Sequence, residues 1–275
     1  MLLGVTALLL PAVPAQAMKL SANWAGYVVA SRHPRRAPLR TVFGTWTVPR
    51  VTCSVGHERY AAVWVGLGGY RENATGLEQI GTEQNCRLGG KSSYAAWFEI
   101  LPAGPVRIPM RVHPSNVVRA STTVIGDIAQ FHISDLSTGA HYATTRRVSD
   151  PNVSTAEWIL EAPSACSPGW ACEPLPLASV STVDFESARA RAARHTRPAG
   201  SRGWVDMTLE LEQESIALPS QPAFHSEAEA PQTATRTILT AVPSKAHGPF
   251  GSFSLSRSEQ TSEVPLPAAP TFPGF

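Results

Sequence analysis

The stretch STAEWILEAP, residues 154–163, carries two glutamates four positions apart in an otherwise apolar run. Read as a strand, it sends Glu157, Ile159 and Glu161 to one face and Trp158 and Leu160 to the other. A charged carboxylate in apolar surroundings is costly unless it is paired, so two on one buried-looking face call for a use. The same alternation groups other polar residues. In GLEQIGTE (76–83), Leu77, Gln79, Gly81 and Glu83 share a face; in YAAWFEIL (94–101), Trp97 and Glu99 do; in AAVWVGL (61–67), Trp64 and Gly66 do. Three strands can thus present Trp, Gln and Glu to one concave surface, unless a bulge reverses one of them.

Other chemistries lack their signatures. There is no Gly-x-Ser-x-Gly elbow, phosphate-cradling loop or dinucleotide fingerprint, and no Asp-Thr-Gly or Asp-Ser-Gly segment. The eight histidines are scattered without a His-Glu-x-x-His, and the cysteine spacing suits no common zinc pattern. No cofactor or metal is expected. The small formal charge of +2 points to no nucleic-acid or anionic-membrane partner.

The elements that must position these groups are short. From Ser21 onward, β-rich runs alternate with Gly, Pro, Asn and Ser, and no long amphipathic helix precedes Arg189. With 275 residues, 43% hydrophobic and 16% charged, the chain can bury a sizeable core. Its pattern predicts an all-β sandwich of two curved antiparallel sheets, jelly-roll or concanavalin-like. Residues 1–17 read as a secretory signal with an Ala-x-Ala end, though without a basic start, and no later apolar run is long enough to cross a membrane. A secreted monomer follows as the expectation. Four cysteines suit that compartment: Cys166 and Cys172 bracket a turn-rich loop and pair locally, leaving Cys53 with Cys86.

Residues 18–218 are expected to form the domain. Within them the basic stretch RARAARHTRPAGSRG (189–203) reads as a short helix and loop, a solvated insertion in preference to a polyanion site. Nine of the 24 prolines fall from Pro219 onward. Residues 219–275 are therefore expected to be a mostly disordered tail, with at most one strand near TRTILTAV and disorder from about Pro243.

Several segments, in order, resemble the glutamic endopeptidases, or eqolisins: NWAGYV (23–28), WVGLGG (64–69), LEQIGTEQ (77–84), YAAWFEILP (94–102), AEWILEAP (156–163) and LPLASVSTVDF (175–185). The resemblance implies a catalytic pair, Gln79 and Glu161, in a concave cleft, with Trp64, Trp97 and Glu99 lining the substrate path; Glu83, on the face of Gln79, is expected to join them. The substrate that the resemblance implies is a polypeptide. The implied chemistry suits the residue types. A carboxylate can take a proton from water and pass it to the leaving nitrogen. A carboxamide can hold that water and donate N–H to the oxyanion. The resemblance also implies an acidic working pH, which a lone base does not explain. Repulsion and desolvation among Glu161, Glu99 and Glu83 are expected to keep one carboxyl protonated. Glu157 reads as structural, accepting a hydrogen bond at the sheet's edge.

The chain departs from the fungal members at Gly68 and Ala95, which replace acids, and at EILP, which replaces a more aromatic run. Two other classes fit less of the sequence. A glycosidase would use Glu99 and Glu161 and leave Gln79 idle; a binding module would use Trp64 and Trp97 as a platform for peptide or sugar.

Overall fold

Alternating apolar and polar residues, dense in Val, Ile, Thr and aromatics, form strands and no helix among the described residues. A computed structural model describes residues 18–33, 36–70, 76–166, 172–192, 195–201, 204–217 and 233–265. The expected signal, residues 1–17, lies outside them. The chain begins with β1 (Met18–Ser21), β2 (Trp24–Ser31), β3 (Leu39–Thr47), β4 (Val51–Thr52), β5 (Ala62–Gly68), β6 (Leu77–Cys86) and β7 (Ser92–Ile100). It continues with β8 (Val106–Ile108), β9 (Val117–Ile125), β10 (Ile128–Asp135), β11 (His141–Arg147) and β12 (Thr155–Glu161). After the short β13 (Ser164–Ala165), β14 (Glu173–Pro174) and β15 (Ser179–Val180) come β16 (Val183–Ala192), β17 (His195–Pro198), β18 (Trp204–Ala217), β19 (Thr233–Pro243) and β20 (Phe253–Pro265).

The main ladder runs β11-β10-β9-β3-β16-β20-β19-β18-β2-β12-β5-β6-β7-β8. It folds over so that β3, β9 and β10 pack on β5, β6 and β12. The result is the expected sandwich: a front layer from β18 to β8, a back layer from β11 to β16, and β19 and β20 joining them. Neighbours on this path are antiparallel; β1 pairs with β18 in parallel.

Burial separates the layers. In the back layer β9 and β10 alternate buried and open residues, as sheets with one wet face do. In the front layer β5 is buried at every position and β12 at all but Glu161, because a second apolar cluster covers the far side of the sheet. That cluster holds Val28, Ala62, Trp64, Leu77, Trp97, Ile159 and Leu209. The main core between the layers stacks Phe185 on Phe253 at 4.9 Å and sets Phe98 against Phe131 at 5.1 Å. Indole donors tie the layers: Trp158 Nε1 donates to the Phe43 carbonyl at 2.7 Å, and Trp46 Nε1 to Thr82 Oγ1 at 3.2 Å.

Two local expectations are corrected. The stretch from Arg189 is not helical: β16 runs to Ala192 and turns back into β17. Ala188, Ala190 and Ala192 are buried and Arg189 and Arg191 lie on the other face, so the Arg-Ala alternation is a period of two rather than a helical pattern. The segment after Pro219 supplies two long strands where at most one was expected, and residues 253–265 are ordered into β20. Only the start of β20 is apolar, with Phe253 and Leu255 buried. Its Ser, Glu and Gln positions are held by an unbroken backbone ladder to β19, which composition does not reveal. The disorder expected of 219–232 and 266–275 falls outside the described residues.

Candidate active site

Register builds the site in rows. β12 lies between β2 and β5, and β6 between β5 and β7. One row runs Trp24, Glu161, Ala62, Glu83, Ala95; the next Ile159, Trp64, Gly81, Trp97; the third Glu157, Gly66, Gln79, Glu99. Each row is two residues from the next, so all share one face. The faces read from the sequence therefore coincide.

Over this face opens a cleft of about 390 Å³. Gln79, Glu161, Glu83, Glu99 and Trp97 line it, together with Trp24, Leu77, Leu101 and Pro105. Both expected disulfides form. Cys166–Cys172 closes part of the rim, and Cys53–Cys86 anchors the end of β6. Trp64 does not line the cleft. It is fully buried beneath it, edge-on to Trp24 at 5.0 Å, and its Nε1 donates to Glu161 Oε2 at 2.6 Å. It supports the carboxyl instead of forming a wall.

Gln79 Nε2 donates to Glu99 Oε2 at 2.5 Å. The Oε1 of Gln79 is buried and has no hydrogen-bond partner in the protein. Buried acceptors are normally satisfied, so this oxygen is set for a group that enters the cleft. Burial pushes the Glu161 carboxyl up to about 7. The N–H of Trp64 opposes the rise, as does that of Trp24, which lies close without completing a hydrogen bond, and the charge of Glu99 adds to it. Glu99 is also raised by burial, against the hydrogen bond from Gln79. The dominant cause is desolvation; repulsion between carboxylates, which the sequence reading put beside it, is secondary.

Two further acids flank the site. Glu157 is not at an edge: β12 is paired on both sides, and both Glu157 oxygens are buried without a hydrogen bond. Burial raises it well above the ordinary range, with the Thr155 hydroxyl opposing and Glu78 adding. Glu78 faces the other way, across from Leu67 and Ile100. Burial pushes it up to about 7, with the Asn152 N–H opposing and Asp150 adding. Sequence reasoning passed over Glu78, and also Trp24, although parity shows the first and the NWAGYV segment contains the second. Among the described residues no three metal-ligating side chains converge.

The model of the Peptidase A4 family matches residues 22–220. The chain belongs to the peptidase A4 family. As a member it is a hydrolase, a glutamic endopeptidase, and the glycosidase and binding-module readings give way. A scytalido-glutamic peptidase bound to a transition state analog inhibitor shares the fold with a TM-score of 0.63 and 20% identity, over 86% of this chain and 98% of that one. The same peptidase with a peptide based transition state analog gives 0.55 and 23%, over 64% and 82%. Aspergilloglutamic peptidase from Aspergillus niger gives 0.49 and 19%, over 73% and 99%. A comparison with curated protein sequences finds no match. The family match ends before β19 and β20, which nonetheless complete the core here.

The departure at Gly68 has a local reason. Its φ is +87°, and a Cβ there would sit 2.5 Å from Asn152 Cβ and 2.7 Å from the Gly76 carbonyl. In this chain that turn has no room for an acidic side chain.

Proposed function

We propose that this member of the family is a secreted peptidase that works at acidic pH through Glu161 and Gln79. The observation that carries the reading is that both side chains line one cleft, one held by an indole N–H and the other with an unsatisfied carbonyl oxygen. With its pKa near 7, Glu161 is a neutral acid at low pH. It therefore acts in its protonated form, not as the ionised base that the sequence suggests. The attacking water is held by Gln79 Oε1, to which it donates one hydrogen bond. As the water oxygen bonds to the scissile carbonyl carbon, Glu161 gives its proton to the carbonyl oxygen and takes one from the water on its other oxygen. A neutral gem-diol results. The same carboxyl then protonates the amide nitrogen while recovering a hydroxyl proton, and the C–N bond breaks. Gln79 spends one N–H on Glu99 and keeps the other for the carbonyl oxygen, on which negative charge builds before the proton from Glu161 arrives.

The test is kcat/KM on an unfolded protein against pH, which reports the free enzyme. An acid of pKa near 7 gives activity that is level at low pH and falls above about 7. Glu161→Gln is expected to be inactive, and Gln79→Ala to lose about 2.7–4 kcal/mol of barrier lowering. A profile that rises to a plateau above 7 contradicts the acid role, and an active Glu161→Gln contradicts the site.

A further inference from the structure

The outer face of the back layer carries a groove of about 540 Å³, across the sandwich from the cleft. Its floor is β3 and β16, where β16 is bulged: Phe185 pairs with Trp46 and Ser187 with Thr45, leaving Glu186 unpaired between them. Arg189 and Arg119 border it from β16 and β9. Among the described residues neither is in an ion pair, and Arg189 Nε is buried with no acceptor. The one carboxylate in the groove, Glu186, accepts from Thr47 Oγ1 at 3.5 Å, and two guanidiniums against this one carboxylate leave a net positive charge.

Phe250 is the other unusual group. It is 52% exposed, and the Arg189 guanidinium lies 5.8 Å from its ring centre. Its loop is firmly seated. Ala188 N–H donates to the Phe250 carbonyl at 2.8 Å, and Ser252 Oγ donates to the Glu186 carbonyl at 2.7 Å. Gly251, at φ +68°, packs so closely that a Cβ would lie 2.8 Å from the Ala188 carbonyl and the Ala199 nitrogen. A half-exposed aromatic ring is thus held rigidly beside two guanidiniums that make no ion pair, one of them over the ring, with the hydroxyls of Thr45, Ser187 and Thr196 around it.

We propose that this groove binds an acidic sugar, a saccharide unit carrying a carboxylate or a sulfate, as part of a polysaccharide. Each part has its use in that ligand. Guanidinium forks match carboxylate and sulfate oxygens. An exposed aromatic ring covers the apolar face of a sugar. Side-chain hydroxyls and Glu186 exchange hydrogen bonds with sugar hydroxyls. An acidic peptide needs the arginines but has less call for the ring and the hydroxyls, so the sugar is favoured. Arg189, which opens the basic stretch, then belongs to a binding edge and not to a merely solvated insertion. The groove and the cleft lie on opposite faces, so the protein can be attached to such a polymer while its cleft is occupied by peptide.

The experiment titrates the full chain into fluorescein-labelled polygalacturonate, labelled dextran sulfate, neutral dextran and poly-L-glutamate, at low salt. Saturable binding of one or both acidic polysaccharides and none of neutral dextran is expected. Arg189→Ser and Arg119→Ser should each weaken it by about tenfold or more, and Phe250→Ser should weaken it as well. Arg87→Ser, a distant exposed arginine, should not, and peptidase activity should be unchanged throughout. Polygalacturonate against dextran sulfate tells carboxylate from sulfate. No saturable binding of either overturns the proposal, as do arginine variants that bind like the parent. Poly-L-glutamate bound as tightly, with no effect of Phe250→Ser, also overturns it and assigns the groove to acidic polypeptide.

Discussion

Glu78 makes the fold itself sensitive to alkali. Both of its oxygens are buried without a hydrogen bond, and burial lifts its pKa from 4.5 to about 7. A carboxyl whose folded pKa is raised contributes stability that is complete below its unfolded pKa and is lost as pH rises through the folded one. The window here is therefore 4.5 to 7. The difference, 7 − 4.5 = 2.5 units, corresponds to about 3 kcal/mol at 1.36 kcal/mol per unit, a large share of a typical domain's stability. Glu157 and Glu161 push in the same direction. Glu78→Gln keeps the shape of the neutral acid and cannot ionise. Urea unfolding followed by tryptophan fluorescence, at about pH 4 and about pH 8, measures the effect. The variant should match the parent at the lower pH and exceed it by about 3 kcal/mol at the higher. If the two lose stability in parallel as pH rises, Glu78 is ionised at no cost in the folded state and the reasoning fails.

Trp64→Phe removes one of the two indole N–H groups, with Trp24, that hold Glu161 down, so the descending limb of the pH profile should move to higher pH while the fold persists; an unmoved limb refutes the link. Gly68→Ala meets both a left-handed φ and the Asn152 Cβ, and should cost at least about 1–2 kcal/mol in thermal or urea unfolding. Deleting residues 244–275 removes Phe253 and Leu255 from the core and should abolish cooperative unfolding, whereas a dispensable tail would leave the melt unchanged.

The sequence was most informative where side chains and period agree. Gln79, Glu83, Trp97, Glu99 and Glu161 reach one face because strand parity alone decides it, and no bulge in β5, β6, β7 or β12 intervenes. Trp64 shares that parity but is buried beneath the cleft, since alternation gives a face and not a depth. Glu78 escaped notice because a lone acid on a core face breaks the expected pattern. β20 was hidden for a different reason: its stability is in backbone pairing to β19 and in two apolar residues at one end, while its composition is that of a solvated tail.

The order in which the layers are wired has a consequence for synthesis. Strand β2, one of the first to be made, needs β18 as its ladder partner. The hydroxyl of its Tyr27 donates to the Ser244 carbonyl at 3.0 Å and accepts from the Ala246 nitrogen at 2.7 Å. Such distant pairings are slow to form. A ribosome-bound chain can therefore carry every residue of the cleft and still lack the sheet that aligns them. Peptide-cleaving competence should arise only after the last strands have been released, as a late event in the protein's maturation.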